Sequence, residues 1–259
     1  MIDSHCHLAD PAFAEDLEAV VQRAVNAGVT GGLCVLTLGD ENEARQSGRV
    51  RHAWPAARFA LGLHPHVAGA FAGRVDALPA ALQEAWGATP GACAIGEIGL
   101  DYHYDLSPRA VQREVFRAQV RLARTTGRPL IIHTREADED TLAILEEEGQ
   151  GEVRGVFHCF SGTASLARAA LDLGFLLSFS GIVTFPRAGA LREIVSSTPA
   201  DRILVETDCP YLAPVPRRGK RNEPAWVVDT AAVVAAVRQV DLQAVDEAST
   251  RNFERLFGP

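Results

Sequence analysis

Two histidines, two residues apart, open the chain in Ile2-Asp3-Ser4-His5-Cys6-His7. Four later segments end in side chains of the same chemistry: Ala94-Ile95-Gly96-Glu97, Leu130-Ile131-Ile132-His133, Gly155-Val156-Phe157-His158 and Ile203-Leu204-Val205-Glu206-Thr207-Asp208. In each of these four an apolar run, of the kind that makes a buried parallel strand, stops at His, Glu or Asp. Imidazole and carboxylate together suit magnesium, manganese or zinc. Several His with two carboxylates suit a pair of such ions, the arrangement that activates water against a resistant ester.

Something must bring these distant segments together. Apolar strand-like runs alternate with helix-like stretches along the whole chain, the pattern of repeated βαβ units. Strands are expected at 2–7, 31–37, 58–63, 92–97, 129–133, 153–158, 175–180 and 202–207, with helices such as 13–27, 108–126 and 137–148 between them. Ser107-Pro108 reads as an N-cap with Pro at the first helical position, and Gly28, Gly127 and Gly149 read as helix stops. Eight such units make a (β/α)8 TIM barrel, in which ligands at the carboxyl ends of the strands share one face. A single domain over 1–259 fits this, because no linker, repeat or low-complexity tract divides the chain. Two longer connections, 98–107 and 209–224, follow ligand-bearing strands and should overhang that face.

Composition narrows the setting. Hydrophobic residues make up 47% of the chain, enough for a large core, yet no unbroken apolar run reaches membrane-spanning length. The N-terminus reads as a strand rather than a secretory leader, and the five scattered Cys lack a CxxC pair, so a cytoplasmic protein is expected. A net charge of −8 argues against a surface that wraps nucleic acid by charge alone. It leaves room for a local phosphate site beside bound cations.

Each residue also has a plainer reading. Glu97 at a buried strand end could pair with an arginine, and one strand-end His is more often a hydrogen-bonded core residue than a ligand. Several such residues on successive strands reverse that preference. His64, in Gly62-Leu63-His64-Pro65-His66, lies on the same rim as a metal or substrate contact, with weaker expectations for His66 and His103. His52 is expected to face solvent. Cys159 and Cys209 follow ligands directly, and strand alternation should turn both away from the site. Glu206 and Asp208 should share one facing. Arg218, Lys220 and Arg221 are candidates for holding phosphate, against the alternative of a solvated basic loop. Tyr102, Tyr211, Phe185 and Trp226 are candidates for stacking a base.

Taken in order, these segments resemble the TatD family of metal-dependent deoxyribonucleases, within the amidohydrolase-like barrels. The likeness is carried by Ile2-Asp3-Ser4-His5-Cys6-His7-Leu8, Gly62-Leu63-His64-Pro65, Gly96-Glu97-Ile98-Gly99-Leu100-Asp101-Tyr102, Pro129-Leu130-Ile131-Ile132-His133, His158-Cys159-Phe160-Ser161-Gly162, Glu206-Thr207-Asp208-Cys209-Pro210 and Arg218-Gly219-Lys220-Arg221-Asn222-Glu223-Pro224. It implies a magnesium- or manganese-supported nuclease acting on DNA, with RNA an alternative substrate and no obligate protein partner. It implies that Glu97 bridges two ions, that His5, His7 and Asp208 hold one with it, and that His133 and His158 hold the other. A third ion near Glu206 and His64 is known among relatives, and Asp101 falls in the same motif. Asp208, touching ion and water, is expected to be the general base.

Two rival readings stay in view. Many hydrolases on this barrel bridge their metals with a carboxylated lysine, but the only lysine here is Lys220, in a loop after the last strand. A lactonase, an esterase or an aminoacyl-tRNA deacylase bridged by Glu97 remains, as does a metal-binding module without catalysis.

Overall fold

In the computed structural model, which describes residues 1–258, the eight expected strands form one parallel sheet in sequential order. They are β1 Ile2–Cys6, β2 Gly31–Thr37, β3 Ala57–Gly62, β4 Ala92–Asp101, β5 Leu130–Arg135, β6 Gly155–Phe157, β7 Leu176–Phe179 and β8 Ile203–Val205. The helices are α1 Leu17–Asn26, α2 Glu41–Ala53, α3 Leu78–Ala88, α4 Arg109–Thr126, α5 Asp138–Gly149, α6 Ala164–Asp172, α7 Gly189–Ser197, α8 Val227–Arg238 and α9 Leu242–Phe257. Pro259, included in the expected single domain, lies outside the described residues. The barrel interior is filled by Ile2, Leu33, Val35, Ala60, Ala94, Ile131, Val156, Leu176 and Leu204, and Phe253, Leu256 and Phe257 of α9 close its floor. The larger apolar layer lies between strands and helices.

The seam between β8 and β1 closes through residues that precede or carry the ligands. Ser4 Oγ donates to the Val205 carbonyl at 3.0 Å, Asp208 N–H to the His5 carbonyl at 3.0 Å and His7 N–H to the Cys209 carbonyl at 2.8 Å. Closing the barrel and assembling one wall of the site are therefore the same event.

Two β-bulges decide which side chains enter. Between Asp3 and Cys6, β1 advances three residues while β2 advances two, from Gly32 to Cys34. Between Ile95 and Ile98, β4 likewise spends three residues against two of β5, Leu130 to Ile132. One extra residue inverts the facing of everything after it. Ile2 and Ala94 face the interior, so strict alternation would turn His5, His7 and Glu97 outward; the bulges turn them inward.

Three expectations are corrected here. β4 runs on to Asp101, because Gly99, Leu100 and Asp101 pair with His133, Thr134 and Arg135, so the expected loop begins only after 101. Ser107 does not cap α4: its Oγ accepts from Gly69 N–H and donates to the His66 carbonyl, both at 2.9 Å, and Pro108 stays extended before the helix. The first helix begins at Leu17, after a 3-10 turn Pro11–Phe13 that Asp10 caps, rather than at 13.

Candidate metal centre

Glu97 stands at the middle of the carboxyl face, and its two oxygens point to different histidines. Oε2 lies 3.4 Å from His5 Nε2 and 3.9 Å from His7 Nε2. Oε1 lies 2.7 Å from His158 Nε2, 2.9 Å from His133 Nδ1 and 3.3 Å from His64 Nε2. On the first side, Asp208 Oδ1 is 3.4 Å from His7 Nε2 and 3.8 Å from His5 Nε2. On the second, Asp101 Oδ2 is within 3.1 Å of His133 Nε2 and 2.9 Å of His66 Nε2. Glu206 sits behind His158, with Oε1 3.4 Å from Nδ1, and accepts the Cys159 N–H at 2.7 Å.

Backbone devices hold these ends in place. Two buried glutamines on one face of α4 reach the strand ends. Gln119 receives Leu63 N–H at 2.8 Å and returns Nε2–H to the Leu63 carbonyl, fixing the residue before His64. Gln112 receives Asp101 N–H at 2.9 Å and donates to the Asp101 and Ser107 carbonyls. Asp208 takes φ +58°, and its left-handed turn aims the carboxylate back at β1. Gly99 takes φ +140°, and a Cβ there would lie 1.9 Å from the His133 carbonyl oxygen, so β4 and β5 approach at a distance only glycine permits.

Electrostatics favour an ionised Glu97. Burial alone would raise its carboxyl. The nearby charges of His158 and His64, with hydrogen bonds from His133 and His158, hold it well below the usual range. Asp208 is likewise held low against burial by His7 and His5. His7 is pushed down by burial but up by Asp208 and Glu97, and ends near 9. The imidazoles and carboxylates thus offset one another's burial.

The donors fit divalent ions. Three groups each bring three ligand atoms within 4.8 Å of one another: His5, His7 and Glu97; His64, Glu97 and His133; and His5, His158 and Glu206. Ligands about 2.1 Å from a shared ion stand roughly 3 Å apart, which matches most separations above. Glu206 Oε2 is buried and has no hydrogen-bond partner, an orphan acceptor that a cation would satisfy. The donors are imidazole and carboxylate, and no thiol joins these groups.

The centre lines a cavity of about 660 Å³. Of the residues expected in the site, His5, His7, His64, Glu97, Asp101, His133, His158, Glu206 and Asp208 come together. Arg218, Lys220 and Arg221 do not line the cavity. Their loop is fastened to the barrel: Arg221 pairs with both oxygens of Asp16 at 2.8 and 2.7 Å, Glu223 pairs with Arg23 of α1, and Asn222 Nδ2 donates to the Thr207 and Tyr211 carbonyls. Arg218 lies over the Phe185 ring at 4.0 Å and Arg217 over Trp226, and neither ring lines the cavity, whereas Tyr211 does. Tyr102 is turned to Asp140 and Arg113. Cys159 corrects its expectation: it lines the cavity, because φ +44° breaks the alternation after β6. Cys209 is buried away from it, and His103 pairs with Glu136 outside it. Sequence reasoning missed Asp3, Tyr104 and Arg135. The position of Arg135, two after His133 on one strand, was the available sign.

Residues 2–258 match a family model described as "TatD related DNase". A Bacillus subtilis (strain 168) protein named uncharacterized metal-dependent hydrolase YabD is 39% identical, covering 99% of this chain and 98% of its own. An Erwinia billingiae (strain Eb661) protein named 3'-5' ssDNA/RNA exonuclease TatD is 36% identical, covering 99% and 98%. The crystal structure of YJJV, a TatD homolog from Escherichia coli K12, superposes with a TM-score of 0.89 at 30% identity, covering 100% of this chain and 98% of that one.

Proposed function

The chain belongs to the TatD family of metal-dependent hydrolases, and we propose that it cleaves phosphodiester bonds in single-stranded DNA, working from an end. The observation that carries this reading is the division of Glu97 between two histidine sets, which suits two divalent ions side by side. Magnesium or manganese, held by His5, His7, Glu97 and Asp208 on one side and by Glu97, His133 and His158 on the other, would neutralise phosphate charge and acidify water. His64 and Glu206 could add a third position.

The rest is the work of this chain's side chains. Asp208 faces the cavity and is held ionised, so it can accept the proton of an attacking water while the bond from phosphorus to the leaving oxygen breaks. Asp101 fixes His133 by accepting from Nε2, which leaves Nδ1 turned to Glu97. The only lysine, Lys220, lies outside the cavity, which supports a Glu97 bridge over a carboxylated lysine. The Erwinia relative's name supports a nucleic-acid substrate. Five free thiols support a reducing, cytoplasmic setting.

The test is metal-dependent turnover of purified protein on single- and double-stranded DNA, RNA, and a panel of lactones and carboxylic esters. Magnesium- or manganese-dependent release of mononucleotides from single-stranded DNA is the expected result. Turnover of esters or lactones without any cleavage of nucleic acid would overturn the reading.

A further inference from the structure

One guanidinium lines the cavity, that of Arg135, and its surroundings separate it from the other arginines near the rim. Arg217, Arg221 and Arg23 are tied to carboxylates, and Arg218, which has none, lies over Phe185 outside the cavity. Arg135 is exposed and has no side-chain hydrogen bond or ion pair among the described residues; it lies over the ring of Tyr104, 4.7 Å from the centroid. Tyr104 is itself 54% exposed, as Tyr211 is at 56% elsewhere on the same cavity wall. The Tyr104 ring makes T-shaped contacts with His66 at 5.5 Å and with His103 at 5.0 Å.

This pair is registered to the metal centre. Tyr104 N–H donates to Asp101 Oδ1 at 2.8 Å, while Asp101 Oδ2 takes His133 and His66. Arg135 follows His133 by two residues on β5, so both side chains leave the same face of the strand. A guanidinium without a carboxylate partner beside a half-exposed aromatic ring, the ring's residue tied by its N–H to Asp101 behind the centre, matches two parts of a nucleotide: phosphate and base.

Resting on the nuclease reading above, we infer that Arg135 and Tyr104 form a subsite for the nucleotide next to the scissile phosphate. Arg135 takes the adjoining phosphate, and the Tyr104 ring stacks the base. Stacking is indifferent to base identity, so the subsite selects unpaired nucleic acid rather than a sequence. A paired base would have to leave its partner to reach the ring.

The experiment uses the metal-loaded full chain with three substrates: a single-stranded DNA 12-mer, the same strand with one abasic residue walked along it, and methyl nitrophenyl phosphate as a diester with no nucleoside. Tyr104→Leu should raise KM for the 12-mer about tenfold, the size of one lost stacking contact, with kcat within a factor of about two. Tyr104→Phe, which keeps the ring, should restore KM. In wild type, removing the base at one position should raise KM similarly, and Tyr104→Leu should be insensitive to that removal. Arg135→Ala should lower the logarithmic salt slope by about 0.7, and Arg135→Lys should recover it. Losses on the nucleoside-free diester should be much smaller. Wild-type KM in Tyr104→Leu, or equal losses on 12-mer and diester, would overturn the subsite while leaving the nuclease reading intact. A wild-type protein that turns over the diester but no nucleic acid overturns both.

Discussion

Thr207 donates twice to Asp3, through its amide to Oδ1 at 2.8 Å and through its hydroxyl to Oδ2 at 2.5 Å. Asp3 lies two residues before His5, and Thr207 lies between Glu206 and Asp208. The pair thus rivets the strand that brings two imidazoles to the segment that brings two carboxylates. Both residues are buried, and neither lines the cavity.

That rivet predicts a pH dependence. Burial raises the Asp3 carboxyl to about 8, against the hydrogen bonds from Thr207 and with the charge of Glu206 adding to it. In the unfolded chain the group ionises near 3.9. Between about pH 4 and pH 8 the folded state therefore holds a proton that the unfolded state has lost, and stability declines as pH rises through that window. Below it both states are protonated, and above it both are ionised, so the decline is confined to it. Asp3→Asn keeps an acceptor for the Thr207 amide and cannot titrate. Urea midpoints of the chelator-treated proteins should show the variant gaining on wild type from pH 5 to pH 8. Parallel curves would remove Asp3 from this role.

Glu97→Ala removes the group shared by two histidine sets. It should lose the capacity for two ions and lose turnover, where a ligand held by one ion alone would cost a single site. Glu97→Gln should keep the volume and still lose the negative charge that two cations share. Metal analysis after dialysis is the measurement, and two ions per chain at wild-type affinity in Glu97→Ala would contradict the bridge.

The order of the strands and the types of the candidate donors were legible because four of the five segments are apolar runs that stop at one, and that pattern survives in a one-dimensional reading. The facing of those ligands was not. Alternation links His5 to His7 correctly, but the bulges in β1 and β4 decide that they and Glu97 turn inward, and an extra residue leaves no mark in composition. In the basic loop, Arg221 has a partner that its sequence neighbours do not show. Arg221 looks like a phosphate ligand in sequence, yet Asp16, distant in the chain, already occupies it. Arg135 and Tyr104 were hidden by their flanks, since the ligand motifs stop at His133 and Tyr102. Gln112 and Gln119 read as ordinary helix formers until their strand-end partners are seen.

Gly99→Ala should be among the most damaging methyl additions to this chain. The new Cβ would fall 1.9 Å from the His133 carbonyl, at a φ of +140° that L-residues rarely adopt. Relief requires β5 to move, and β5 carries His133. A loss of about 3 kcal/mol, at the top of the overpacking range, is expected in urea unfolding, with weakened metal retention. Gly189→Ala, where a Cβ meets nothing within 4 Å, serves as the comparison and should be near neutral.

Arg221→Ala should report a structural loop. It removes the pair with Asp16 and the cover over Phe13, at 4.7 Å from the ring centroid. The pair is about a third exposed and screened by solvent, so the expected cost is about 1 kcal/mol or less. The salt dependence of single-strand binding should not change, because the guanidinium is already neutralised. A slope lowered by about 0.7, the value for one phosphate on a single strand, would instead return Arg221 to the substrate.

Asp208→Asn separates proton transfer from ligation and folding. Asparagine tolerates the left-handed backbone that Asp208 adopts at φ +58°, and its amide N–H can still reach the His5 carbonyl, so the seam should close. Its side-chain oxygen can still face an ion beside His7. What it lacks is a basic carboxylate: the group that His7 and His5 hold ionised becomes neutral at every pH of interest. Turnover should therefore fall by about two to four orders of magnitude while the melting temperature and part of the metal content are kept. Asp208→Ala should lose both metal and turnover. If Asp208→Asn cleaves within a few-fold of wild type, the proton goes elsewhere, and Asp208 serves only as a ligand.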